Sequence, residues 1–96
     1  SRPWTEACVR GVESELASLD QAIAAASQHW RLERMARVDR NVLRLGAWEL
    51  VHRTDIPSAV VLDEAVELAK RFSTDDSSRF VNGMLSAMAP QLRNPG

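Results

Sequence analysis

Cysteine is almost missing from this chain. Cys8 is the only one in 96 residues, which excludes an internal disulfide and any metal site built from several thiolates. The expectation that follows is a reducing compartment, the cytoplasm. Neither sign of charge dominates: 12 basic and 13 acidic side chains leave a formal charge of −1, which rules out a polybasic tail or a wholly basic nucleic-acid module. A nucleic-acid site would have to be a local patch. No apolar run approaches the length needed to cross a bilayer, and no charged-then-apolar leader is present, so no membrane partner is expected. Glycine and proline number only four each, and β-branched runs are few, which leaves helix as the favoured secondary structure. With 45% hydrophobic residues the chain reads as one small helical domain over residues 1–96. A chain of this size buries only about 60–65% of its unfolded surface, so lost neighbours matter. It opens on Ser1 rather than Met, close to a helix start at Trp4, and is expected to be an excerpt of a longer protein.

The apolar spacing agrees with helix. Val9, Val12, Leu16, Leu19, Ile23 and Ala26 recur at steps of three and four, which predicts one long amphipathic helix from about Trp4 to Ser27. Ser27-Gln28-His29 breaks the period, and a mixed stretch leads to a second helix over about Val38 to His52. Its apolar sector, with Val38, Val42, Leu43, Leu45, Gly46 and Leu50, is wide enough to predict a mostly buried helix. Arg37, Asn41, Arg44 and Trp48 occupy the remaining strip. Pro57 disfavours helical geometry at Ile56, and Ser58 is placed to cap a third helix from about Ala59 to Phe72, with Val61, Ala65, Leu68 and Phe72 as its stripe. The polar run Ser73 to Ser77 then suits a helix start, and Val81, Met84, Leu85 and Met88 define a last stripe ended by Pro90. Short connections imply antiparallel neighbours, so the expected fold is an all-α, antiparallel helical bundle.

Charge is unevenly distributed along that bundle. Residues 31–53 carry six arginines against three acids, a net +3, while the segments on either side are each net −2. Arginine forks grip phosphate or stack on bases; the plainer alternative is a solvated face laced with ion pairs. No catalytic constellation is legible. His29 and His52 lack metal-ligand spacing, no glycine-rich phosphate loop exists, and Asp63-Glu64 point about a hundred degrees apart on a helix. Asp75-Asp76 are explained more economically by helix capping than by a cation, and Cys8 by burial as a small hydrophobe. Neither a metal nor a cofactor is implied. Glu49 falls on the apolar side of its helix and, if buried, needs Arg53, another arginine or a backbone amide there. Gly83 interrupts the last helix, which points to a neighbouring helix approaching closely, with Asn82 bonding the adjoining backbone. Phe80 lies off the last stripe, near the acidic helix start; core packing and base stacking both fit such an aromatic.

Several runs together carry a resemblance. They are Val38-Asp39-Arg40-Asn41-Val42-Leu43-Arg44-Leu45, then Glu49-Leu50, Asp55-Ile56-Pro57, Asp63 to Lys70, and Asp76-Ser77-Ser78-Arg79-Phe80-Val81-Asn82-Gly83-Met84-Leu85. In this order and spacing they resemble the NusB family of transcription antitermination factors, most densely over residues 34–89. The resemblance implies an all-helical pair of perpendicular bundles. It implies a non-enzymatic factor that binds boxA RNA of ribosomal RNA transcripts with the ribosomal protein NusE, within the antitermination complex of RNA polymerase. It places Asp39 and Arg40 at the NusE side, and Asp76, Arg79 and Phe80 at the RNA side. It also implies two further helices and an arginine-rich stretch before this span, which the chain does not show. Apolar surface left uncovered in that way predicts a homo-oligomer. A rival of another class is the NusB-like RNA-binding domain of a ribosomal-RNA cytosine methyltransferase, in which a methyl-donor domain follows Arg93.

Overall fold

The computed structural model describes residues 6–27 and 32–93. The expected helix start at Trp4, residues 28–31 and the side chain of Cys8 lie outside the described residues. The described chain is helical throughout: α1 (Glu6–Ser14), α2 (Leu16–Ala26), a single 3-10 turn (Leu32–Arg34), α3 (Arg37–His52), α4 (Ser58–Phe72) and α5 (Asp75–Arg93). No strand occurs among the described residues. Helices α3, α4 and α5 each pack on the other two, and α1 and α2 lie against α3, with α2 also reaching α5.

The apolar stripes meet as the spacing requires. Leu43, Ala47 and Leu50 of α3, Val61, Ala65 and Ala69 of α4, and Val81 and Leu85 of α5 have no exposed surface, and Ile23 of α2 joins them. Alanines at three of these positions let the helices approach closely. Helices α3 and α5 come close at Gly46, where a Cβ would lie 2.8 Å from Cδ1 of the buried Leu85. Gly83 plays no such part: it is exposed, and a Cβ there would meet nothing within 4 Å. The packing role expected of Gly83 belongs to Gly46 and, where α1 meets Trp48 of α3, to Gly11.

Three further expectations are corrected. The single helix over residues 4–27 is two, broken at Glu15 with φ −119° and ψ 19°. Ser14 Oγ donates to the Gly11 carbonyl at 2.9 Å, the acceptor that Glu15 N–H would use in a continuous helix, and Glu15 N–H turns to Val12 O at 3.1 Å. A break of one residue leaves the stripe almost in phase, so periodicity does not register it. Pro57, not Ser58, is the residue before α4, and Ser58 Oγ accepts instead from Arg93 Nη1 at 3.2 Å. Pro90 does not end α5, which continues to Arg93. Proline forfeits one helical hydrogen bond, but Leu92 packs on the core and Arg93 holds the last turn against α3.

That last contact is a clasp. Arg93 donates through Nε to Leu50 O at 2.8 Å and through Nη2 to Arg53 O at 2.8 Å and Glu49 O at 3.4 Å. One guanidinium from α5 therefore satisfies carbonyls at the C-terminal end of α3 and touches the first residue of α4.

Candidate nucleic-acid interface

The start of α5 is built from short polar side chains. Thr74 Oγ1 accepts from Ser77 N–H at 3.1 Å, Ser73 and Ser77 hydroxyls share a hydrogen bond of 2.8 Å, and Ser78 Oγ donates to Asp75 O at 2.7 Å. The capping side chain is thus Thr74, while Asp75 and Asp76 sit in the first turn, where the helix dipole favours a carboxylate. This fixed turn puts Asp76 and Phe80, four residues apart, on one face of α5. The start of α3 arrives opposite, through Met35 and Ala36. Between the two helix starts lies a cleft of about 330 Å³, lined by Arg34, Asp39, Thr74, Asp76, Ser77 and Phe80 with Met35 and Ala36. The volume is at the small end of the range for ligand pockets.

Two residues give the cleft its chemistry. Phe80 is half-buried: it packs against the core and also lines the cleft. A ring supported in this way is held for contact rather than free to collapse. Asp39 is 8% exposed, and its Oδ1 has no hydrogen-bond partner among the described residues. A buried carboxylate oxygen without a donor is costly unless something outside the fold supplies one.

The sequence-predicted site residues divide accordingly. Asp39, Asp76 and Phe80, assigned to two different sides, line the same cleft. Arg79 does not line it. Its side chain is 76% exposed, with Nη2 3.7 Å from Asp76 Oδ1, and it borders a separate shallow groove between α4 and α5 with Lys70. Arg40 is half-buried beside Asp39 and does not line the cleft. Arg34 does, although composition gave no reason to prefer it over its neighbours.

The arginine-rich middle is partly neutralised. Arg44 makes a bidentate pair with Asp20 of α2, at 2.7 and 2.8 Å, and Arg53 pairs with Asp55 at 3.3 Å. For these two the plain ion-pair reading holds. Arg34 and Arg37 are exposed and have no acidic partner among the described residues, and the same is true of Lys70 and Arg71 at the end of α4. No group of three or more metal-ligating side chains occurs among the described residues, and no described helix is long and apolar enough to cross a membrane.

Comparison with known proteins places these features in context. The profile of the NusB family matches residues 1–90. The transcription antitermination protein NusB of Sorangium cellulosum is 59% identical over 91 residues, covering 95% of this chain and 65% of that protein. The protein of the same name from Myxococcus xanthus is 53% identical over 87 residues, covering 91% and 62% respectively. Among solved structures, T. maritima NusB superposes with a TM-score of 0.84 at 44% identity, covering 88% of this chain and 59% of that one. The chain thus spans a little under two thirds of the length of these relatives.

Proposed function

The chain belongs to the NusB family, and on that premise we propose that it serves transcription antitermination as a non-catalytic adaptor. It binds boxA RNA of ribosomal RNA transcripts together with NusE, and through them joins the antitermination complex of RNA polymerase. The observation that carries this reading is the cleft lined by both a core-supported Phe80 and Arg34, a cation without an acidic partner among the described residues. An aromatic face with an adjacent guanidinium is what an unstacked base and its phosphate require. Asp76 and Arg79 flank the RNA side. Asp39, with Arg40 next to it, serves the protein side: a buried carboxylate oxygen that lacks a donor is complementary to a cationic or N–H-bearing group of NusE.

The test is titration of the full-length protein with boxA RNA, alone and with NusE, across a salt series. Affinity should fall as salt rises, with a log–log slope of about −0.7 for each phosphate neutralised. Phe80→Ala should weaken RNA binding about tenfold, within the range for losing one stacked base. Because Phe80 also packs on the core, Phe80→Leu serves as a control that keeps apolar volume and removes the π-face. It should keep helicity and still lose RNA affinity. Full affinity in Phe80→Leu, or no RNA binding by the unaltered protein, overturns the reading.

A further inference from the structure

Phe72 is the last residue of α4 and the most exposed large apolar side chain among the described residues, at 65%. Its helical spacing from Val61, Ala65 and Leu68 predicted a core position, yet it does not pack on the core. Lys70 and Arg71 precede it, both exposed. None of the three has a hydrogen bond, ion pair or ring contact among the described residues. At a hundred degrees per residue they fan over more than half of the helix end. The two cations complement the negative end of the α4 dipole, which accounts for their charge; nothing in helix stability accounts for the ring.

We propose that Phe72 is a second base-stacking platform, with Lys70 and Arg71 as its phosphate contacts, so that one RNA strand passes from Phe80 across the α4–α5 connection to the end of α4. This rests on the RNA-binding reading and extends it to residues outside the cleft. The connection is only Ser73-Thr74, and Thr74 itself lines the cleft that holds Phe80. Phe72 is therefore two residues in chain from the first platform's wall. Charge complementarity selects the ligand. The core of a protein-docking patch is depleted in lysine, whereas a base on an aromatic ring brings a phosphate on each side. Asp63 and Asp75 line the groove beside Lys70, so the phosphates follow the helix end and not the groove floor.

The experiment uses the full-length protein and a single-stranded boxA RNA dodecamer carrying 2-aminopurine at successive positions. In the unaltered protein two separate positions should be quenched by stacking. Phe72→Ala should relieve one of them, leave the other in place, and weaken binding roughly tenfold. Phe72→Trp should restore both affinity and quenching; Phe72→Leu, which keeps apolar area without a π-face, should not. Lys70→Gln and Arg71→Gln should each reduce the salt slope by about 0.7. Because Phe72 is largely exposed and lies outside the core, melting temperatures should stay within a degree or two. If the unaltered protein binds the RNA and Phe72→Ala binds it equally well, this platform is refuted and the Phe80 site stands. If Phe72→Ala instead lowers only the affinity for NusE, the ring is a protein contact and the proposal is wrong. If the unaltered protein does not bind the RNA, both readings fall together.

Discussion

Two acids show how the same side chain acquires opposite meanings from its surroundings. Asp76 is fully in solvent, with 93% of its side chain exposed, and its charge sits beside the ring proposed to hold a base. Asp39 is 8% exposed, and its Oδ1 accepts no hydrogen bond among the described residues. Its place in the first turn of α3 returns part of the desolvation cost, since a carboxylate there gains about 0.3–1 kcal/mol from the helix dipole. An unsatisfied buried acceptor costs about 1–3 kcal/mol, so the balance is unfavourable in the free protein. Asp39→Ala should therefore raise the stability of the isolated protein, by about 1 kcal/mol in denaturant unfolding, and lower its affinity for NusE. A destabilised Asp39→Ala would mean that the carboxylate serves the fold, and the partner-facing assignment would lose its physical basis.

At the scale of helices, periodicity carried most of the information. The stripes of α3, α4 and α5 were legible because the apolar residues at helical steps, Phe72 excepted, met another helix, and the ends of α3 and α4 fall within a residue of expectation. Features set by one hydrogen bond were not legible. The break at Glu15 depends on Ser14 taking a carbonyl, and the extension of α5 past Pro90 depends on packing by Leu92 and an anchor 43 residues away in sequence. The site was legible only in part for the same reason. Asp76 and Phe80 share a face by their spacing, but the arrival of Asp39 and Arg34 on the same cleft is a product of how α3 meets α5. The two glycines make the point testable. Gly83→Ala fills open space on an exposed helix face and should stabilise the protein by about 0.5–1 kcal/mol, the difference in helix propensity. Gly46→Ala gains the same propensity but drives a methyl against Leu85, which is fully buried and has nowhere to move, so it should lower stability by about 1–3 kcal/mol. Equal effects of the two substitutions in chemical denaturation would contradict the packing described.

Over the whole molecule, burial is unequal. Among the described side chains, the fully buried ones are concentrated in α3, α4 and α5, whereas Val12 of α1 and Leu19 and Ile23 of α2 are those the first two helices bring to the core. The first two helices are fastened to α3 by a few specific contacts: Arg44 on Asp20, His52 Nε2 at 2.8 Å from Glu15 Oε2, and Gly11 against the indole of Trp48. A Cβ at Gly11 would stand 2.5 Å from that ring, so the backbone of α1 lies directly on Trp48. Such an arrangement has two levels of opening, a local one that frees α1 and a global one that requires α3, α4 and α5 to separate. Two substitutions distinguish them. Gly11→Ala should displace α1 from Trp48, speeding hydrogen exchange in α1 while the amides around Leu43, Val61 and Leu85 stay as slow as before. Arg93→Ala removes a charged donor shared among carbonyls at the end of α3 and the first residue of α4, each such bond being worth about 1.5–3 kcal/mol. Since those groups belong to the elements that open only globally, it should accelerate exchange in α3, α4 and α5 by a common factor. Acceleration confined to the last turn of α5 would reduce the clasp to a local cap, and the division into two levels would have to be drawn elsewhere.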